Sequence, residues 1–385
     1  MINLIRARRL LTEQGWREHQ LLAHENGVIT AIEPLPSAHE RYDAEWLVPA
    51  LIDTHVHGGR GVDVMDCRAS SLRALSAAKA DEGVGAFLAT TVTAPLPELE
   101  QVLALIADVR HETPPGAEIL GSYLEGPYFT PRHKGAHEER WFRELDIAEL
   151  SRLNDCAAGS LKVVALAPEK PHAIAAIHYL NALNVRVMLG HSGADYATTQ
   201  AALDAGASGL VHCFNGMSGL HHRAPGMAGA GLAHPKAWLE LIADGHHVHP
   251  AVLRLCRCCA GERLLLITDA MRAADMPDGA YELAGSMVEM RGGIVRTASG
   301  SLAGSTLGLL DAVRKMVELA GADLASAIEM ASLHPARLLG IDHELGSLTI
   351  GKRANVLALD ARMQLQALWV RGRQVRGKIS APVSA

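Results

Sequence analysis

Eight apolar runs punctuate the middle of this chain, and amphipathic stretches separate them. The runs are Trp46–Thr54, Ala86–Thr93, Ile119–Leu124, Leu161–Ala167, Val185–Leu189, Gly209–Cys213, Leu239–Asp244 and Leu264–Thr268. Near-continuous apolar runs suit strands buried on both faces, as in parallel sheets. Between the runs the period is helical: Leu99, Val102, Leu103, Ile106 and Val109 fall on one face of 97–111. Eight strand–helix alternations predict a (β/α)8 barrel, with a doubly wound open sheet as the competing arrangement. After the eighth run come a Gly-rich, hairpin-like insert at 279–304 and helical stretches at 305–320 and 323–333. Both chain ends read as short strands and turns. The expected organisation is a small β-sandwich domain from 1–48 and 346–385, with a catalytic barrel over 49–345.

Composition removes several classes of function. Of 385 residues, 49% are hydrophobic and 20% charged, which is ordinary for a globular chain. Thirty-six Lys and Arg against 42 Asp and Glu give a net charge of −6, and no basic stripe marks a nucleic-acid surface. No run reaches the length of a membrane span, and the N-terminus lacks the apolar stretch of a signal peptide. Six cysteines in so long a chain do not make a disulfide scaffold. The expectation is a soluble cytoplasmic protein with reduced thiols.

The polar residues at the ends of the runs carry the chemistry. Run one ends in His55-Val56-His57, run three in Glu125-Gly126-Pro127, run five in His191, run six in His212 and run eight in Asp269. A barrel opens all eight C-terminal strand ends on one face. Residues two apart on a strand point the same way, so His55 and His57 both aim at that mouth. A single histidine at a strand end is usually a hydrogen-bonded loop residue. Five separate segments delivering imidazole and carboxylate to one place are the ligand set of zinc and similar divalent ions.

His-x-His after the first strand and Asp after the eighth resemble the amidohydrolase superfamily. Leu124-Glu125-Gly126-Pro127 followed by Lys134-Gly135-Ala136-His137 resembles a narrower group, the N-acetylglucosamine-6-phosphate deacetylases. Gly190-His191-Ser192, His212-Cys213-Phe214-Asn215-Gly216-Met217, Ala243-Asp244-Gly245-His246-His247, Thr268-Asp269-Ala270 and Leu302-Ala303-Gly304-Ser305 continue the likeness in order. The tail Gly346–Asn355 is similar to the superfamily's closing β segment. Within the group, Asp53–Gly59, Gly216–Arg223 and Arg257-Cys258-Cys259 look closer to the N-acetylgalactosamine-6-phosphate deacetylases.

The resemblance implies removal of acetate from an N-acetylated amino-sugar 6-phosphate. It also implies a first metal on Glu125, His191 and His212, and Asp269 as the proton-transferring carboxylate. Many superfamily members carry a modified Lys at the end of strand four. Here that run reads Val163-Val164-Ala165-Leu166-Ala167-Pro168, and Glu125 takes the Lys's place. His55 and His57 are retained, so the expected cofactor is one or two divalent ions, zinc first among them. Ala136, His137, Asn215, Gly216, His247, Leu302, Ala303 and Gly304 are the implied substrate contacts. Arg223 offers a bidentate fork to the 6-phosphate, from its own chain or from a neighbour, because the family commonly forms homodimers. Three alternatives remain at this level: the glucosamine epimer as main substrate, a cyclic-amide hydrolase, and a catalytically silent sugar-phosphate sensor. The second leaves the Glu125 and Lys134–His137 motifs unexplained, and the third would tolerate loss of Asp269 or a ligand.

One helix face is expected to be purely structural. In 252–259, Val252, Leu255, Cys256 and Cys259 follow helical spacing and are expected to pack inward. Cys213, between two inward-pointing neighbours, is expected to face away from the site.

Overall fold

A computed structural model describes residues 2–36 and 41–377. Eight parallel strands form one sheet in sequential order: Leu51–Val56, Val84–Thr90, Glu118–Glu125, Leu161–Leu166, Arg186–Leu189, Gly209–Leu210, Trp238–Ile242 and Leu264–Ile267. The eighth strand returns to the first through Asp269 N–H donating to the His55 carbonyl (2.9 Å) and a parallel bridge between Val56 and Ala270. The sheet is thus a nearly closed barrel, and the open-sheet alternative falls. Helices Ala69–Asp81, Leu96–Val109, Ile147–Cys156, Ala173–Ala182, Tyr196–Asp204, Gly226–Ala233, Pro250–Ala260 and Leu309–Ala320 surround it. The strands are buried along almost their whole length, which is why they read as unbroken apolar runs.

The first run is two strands, not one. Ala44–Pro49 belongs to a different sheet, and the barrel strand begins at Leu51. Pro49 lacks an amide donor, and at this point the ladder changes partners: Ala50 N–H donates to the Asn355 carbonyl and Leu51 N–H to that of Gly83. Periodicity cannot see such a handover, because both segments are apolar.

The terminal β segments form one continuous seven-stranded sheet. Its order is Arg373–Gly377, Leu365–Val370, Val356–Leu359, Ala44–Pro49, Asn3–Thr12, Gly15–Glu25 and Val28–Pro34. The sheet curls until its last strand, Val28–Pro34, meets the segment that leads into Val356–Leu359. Ala354 N–H donates to Gly27 O (2.7 Å), and Leu10, Leu22, Ile29, Val356 and Trp369 share one core. Sandwich-like packing therefore arises from a single curled ladder. At Gly27 (φ +82°) a Cβ would lie 2.9 Å from the Arg371 carbonyl oxygen, so this turn needs glycine. The insert after strand eight is a three-stranded meander, Gly279–Leu283, Ser286–Arg291 and Ile294–Arg296, where a hairpin was expected.

The curled sheet is tied to the barrel at the end opposite the strand C-termini. Glu118 opens the third strand and is nearly buried. It accepts from Arg353 (3.1 Å) and from Arg371 Nε (3.0 Å). Removing a buried carboxylate from two arginines costs several kcal/mol when all partners are buried. The Arg371 side chain is 56% exposed, so the cost shrinks. Glu118→Ala is expected to lower unfolding stability by about 1–2 kcal/mol in a denaturant titration, with kcat unchanged.

In helix Pro250–Ala260 the buried residues are Leu253, Cys256 and Ala260. Leu255 is 40% exposed and Cys259 is exposed, so the inward face lies about one residue round from the expected one. Cys213 is fully buried in the main core, away from the site, as expected.

Candidate active site

The C-terminal strand ends converge on Glu125, the last residue of the third strand. Its two carboxylate oxygens meet the Nε2 atoms of five histidines. Oε1 lies 3.5 Å from His55, 3.3 Å from His191 and 3.2 Å from His212; Oε2 lies 3.3 Å from both His57 and His137. Asp269 Oδ1 sits 3.1 Å from His57 Nε2 and 3.7 Å from His55 Nε2. His191 (φ +46°), His212 (φ +23°) and Asp269 (φ +49°) all adopt left-handed backbone conformations just beyond their strands. Such conformations cost energy in residues with a Cβ and persist where surrounding structure fixes them, often at functional sites. Here they turn each side chain from the strand direction towards the barrel axis.

The Nδ1 atoms separate these histidines into two kinds. His55 Nδ1 meets Glu240 Oε2 (3.1 Å), and His57 Nδ1 the Thr90 carbonyl (3.2 Å). His191 Nδ1 meets the His133 carbonyl (2.9 Å), and His212 Nδ1 the Asn215 carbonyl (3.2 Å). These oxygens can only accept, so each Nδ1 carries a hydrogen and Nε2 is the atom turned to the centre. Against burial, the neighbouring carboxylates hold His57 up at about 9 and His55 and His212 above the usual imidazole range. These rings give up an Nε2 proton when a cation takes its place. His137 is reversed. Its Nδ1 accepts from the Thr93 N–H (3.2 Å), so in the neutral ring Nε2 carries the hydrogen and donates towards Glu125. His137 is thus a hydrogen-bond donor, while the other four are ligand-type imidazoles.

This donor set fits a divalent cation. Two groups, Glu125–His191–His212 and His55–His57–Glu125, each bring ligand atoms within 4.8 Å of one another. The Nε2 atoms of His191 and His212 face each other at 3.1 Å, an arrangement that needs a cation or a proton between lone pairs. His55 Nε2 is buried and makes no aligned hydrogen bond. Nitrogen and carboxylate oxygen in this ratio suit zinc and its first-row neighbours.

The charges follow the geometry. Burial alone would raise the Glu125 carboxyl, yet His55, His137 and the bonds it accepts hold it well below the usual range. Burial likewise opposes ionisation of Asp269, but the bond from His57 and the neighbouring His55, His57 and His212 bring its carboxyl down to about 2. Both are carboxylates. Burial, followed by the adjacent His137, pushes His191 down to about 4, which keeps this ring neutral and able to donate a lone pair.

A cavity of about 340 Å³ opens above this cluster. His57, Glu125, Ala136, His137, His191, His212, Asn215, Gly216, His247, Asp269, Leu302, Ala303 and Gly304 all line it. His55 lies behind, fully buried. Gly216 (φ +57°) shows why the Asn215-Gly216 step is needed: a Cβ there would lie 3.0 Å from His191 Nδ1. At the far wall Asp244 Oδ2 holds His247 Nδ1 at 2.6 Å, which turns His247 Nε2 free for the cavity.

Arg223 is the exception among the expected residues. It does not line the cavity; it is exposed, with its guanidinium 2.8 Å from His222 Nε2. The chain crosses the cavity at Asn215–Gly216 and has reached the surface by Leu220, which is 47% exposed. Arg223 therefore cannot be assigned to its own chain's pocket. Arg132, His133 and Glu240 are among the residues that sequence reasoning missed. Arg132 and His133 line the cavity, and the 131–133 turn gave no signal beyond its place between two motifs. Glu240 did give one: a charged residue in the middle of the apolar strand Trp238–Ile242.

Comparison with known proteins agrees with this arrangement. The amidohydrolase family model matches residues 46–379. The chain is 61% identical to N-acetylgalactosamine-6-phosphate deacetylase of Escherichia coli O157:H7, covering 97% of this chain and 99% of that protein. It is 49% identical to N-acetylglucosamine-6-phosphate deacetylase of Vibrio furnissii, covering 98% and 96%. Among solved structures, a variant of N-acetyl-D-glucosamine-6-phosphate deacetylase from Mycobacterium smegmatis, in complex with N-acetyl-D-glucosamine 6-phosphate, superposes with a TM-score of 0.91. The two chains are 32% identical, over 97% of this chain and 99% of that one. A barrel whose strand ends gather a carboxylate, four ligand-type histidines and an ionised aspartate, matched over this length, belongs to the amidohydrolase family.

Proposed function

We propose that this protein is a metal-dependent deacetylase that hydrolyses the N-acetyl amide of N-acetyl-D-galactosamine 6-phosphate to D-galactosamine 6-phosphate and acetate, in amino-sugar breakdown. The observation that carries the reading is the single cavity in which Glu125, His191 and His212 face Asp269 and the donor His137. The 61% identical relative supports the sugar and its phosphate.

Glu125, His191 and His212 would hold one divalent ion, and His55, His57 and Glu125 a second. When bound, such an ion polarises the acetyl carbonyl and acidifies the attacking water. Asp269, already ionised, accepts the water proton and returns it to the amine nitrogen as the C–N bond breaks. His137 Nε2–H donates to the acetyl oxygen as charge builds there. His247, Asn215 and the Gly216 amide bind the sugar phosphate, and the Leu302–Gly304 backbone closes on the ring. The donor set favours zinc. The free cysteines and a phosphorylated substrate agree with a cytoplasmic enzyme.

We propose further that the working form is a homodimer in which Arg223 reaches the phosphate in the neighbouring subunit's cavity. Its exposure next to the exposed Leu220 supports this. Arg223→Ala is then expected to raise KM ten- to hundredfold, the worth of a charge-assisted hydrogen bond of about 1.5–3 kcal/mol, and to change kcat less. An unchanged KM removes Arg223 from the phosphate site.

The test of the overall reading is acetate release from N-acetylgalactosamine 6-phosphate by metal-loaded and chelator-stripped protein. Release by the loaded form alone is expected. Equal release by both, or none by either, overturns the reading.

A further inference from the structure

The seventh strand buries a carboxylate that the proposed reaction does not use. Glu240 is fully buried in the middle of Trp238–Ile242. Its Oε2 lies 3.1 Å from His55 Nδ1 and 3.4 Å from the backbone nitrogen of His212, while its Oε1 has no hydrogen-bond partner among the described residues. Burying a carboxyl group with one oxygen unsatisfied is costly, and an apolar residue would fill a barrel interior at less expense. The strand's own register does not need the side chain, because its ladder runs through backbone atoms. Among the described residues two hydrogen-bond contacts use the carboxylate, and each belongs to a histidine that faces Glu125.

Among the described residues no other aligned hydrogen bond orients the His55 ring. Its Nε2 faces Glu125 without an aligned bond, and the Tyr123 ring packs on it at 4.7 Å between centroids. His57, His191 and His212 are oriented by backbone carbonyls, which any sequence supplies. His55 alone among the four is held by a side chain.

We propose that Glu240 is a positioning residue for the metal centre: it fixes the Nδ1–H tautomer and the ring direction of His55, and thereby presents the Nε2 lone pair to the His55–His57–Glu125 group. This rests on the metal-centre part of the proposed function. A carboxylate behind a ligating histidine also raises its basicity, and loss of such a partner typically costs 10- to 100-fold in metal affinity.

The experiment measures Zn2+ binding to metal-stripped protein, without substrate, for wild type, Glu240→Leu, Glu240→Gln, His55→Gln and the Glu240→Leu/His55→Gln double variant. Circular dichroism checks that each is folded. Glu240→Leu is expected to weaken zinc binding 10- to 100-fold. Glu240→Gln keeps an acceptor for Nδ1–H and is expected to recover most of that loss. The double variant is expected to bind no more weakly than His55→Gln alone, because Glu240 acts through His55. Wild-type affinity in Glu240→Leu overturns the proposal. So do losses that multiply in the double variant, or a Glu240→Gln as weak as Glu240→Leu. The readout contains no sugar, so a wrong substrate assignment leaves it intact.

Discussion

Asp269→Asn is expected to lower kcat for acetate release by about 10³-fold, within the range that general acid–base catalysis contributes. The amide nitrogen of the substrate is a poor leaving group until it is protonated, and a cation cannot supply that proton. Asp269 lies 3.1 Å from His57 Nε2, borders the cavity and is held as a carboxylate at neutral pH. Asparagine keeps the size and the hydrogen-bonding oxygen but cannot accept and return a proton. KM should therefore move far less than kcat, and zinc content should stay near wild type, since Asp269 is outside both ligand groups. Steady-state kinetics on matched metal-loaded samples checks this. Retention of more than a tenth of wild-type kcat would remove Asp269 from the proton path.

Glu125→Ala is expected to abolish both zinc retention and acetate release. Glu125 is the one carboxylate shared by the two ligand groups, and its two oxygens face the Nε2 atoms of five surrounding imidazoles. Without it, His191 and His212 keep two nitrogen donors and the His55–His57 pair keeps two more, with no anion between them. Protons then compete with metal for the imidazoles, because ligands must be deprotonated to bind. Elemental analysis of the purified variant should give zinc at background, with activity below detection. Stoichiometric zinc in Glu125→Ala would contradict the assigned centre.

Much of this site is legible in the sequence because a parallel barrel writes itself plainly. Its strands are buried on both faces, so they appear as apolar runs. Its chemistry collects at strand ends, so the polar residue that ends each run is the one to inspect. His55, His57, Glu125, His191, His212 and Asp269 were found that way, and the structure gathers them around one carboxylate. What stayed hidden depends on contacts across the chain. Pro49 and Ala50 divide one apolar run between two sheets, a change of partner that hydrophobicity does not encode. Arg223 has suitable chemistry, but its position follows from where the loop after Gly216 leaves the cavity. The tautomers of His55 and His137 are set by Glu240 and the Thr93 amide, 185 and 44 residues away. The inward face of Pro250–Ala260 shifted because Leu253 and Ala260, not Leu255 and Cys259, meet the barrel.

The central claim concerns a particular amide on a particular sugar. Acetate release from N-acetylgalactosamine 6-phosphate and N-acetylglucosamine 6-phosphate, compared side by side on the same zinc-loaded sample, tests it most directly. The two substrates differ only in the direction of one hydroxyl, so everything else in the assay is held constant. The account predicts a higher kcat/KM for the galactosamine epimer. A higher value for the glucosamine epimer would contradict the assigned substrate, and no release from either would contradict the deacetylase reading itself.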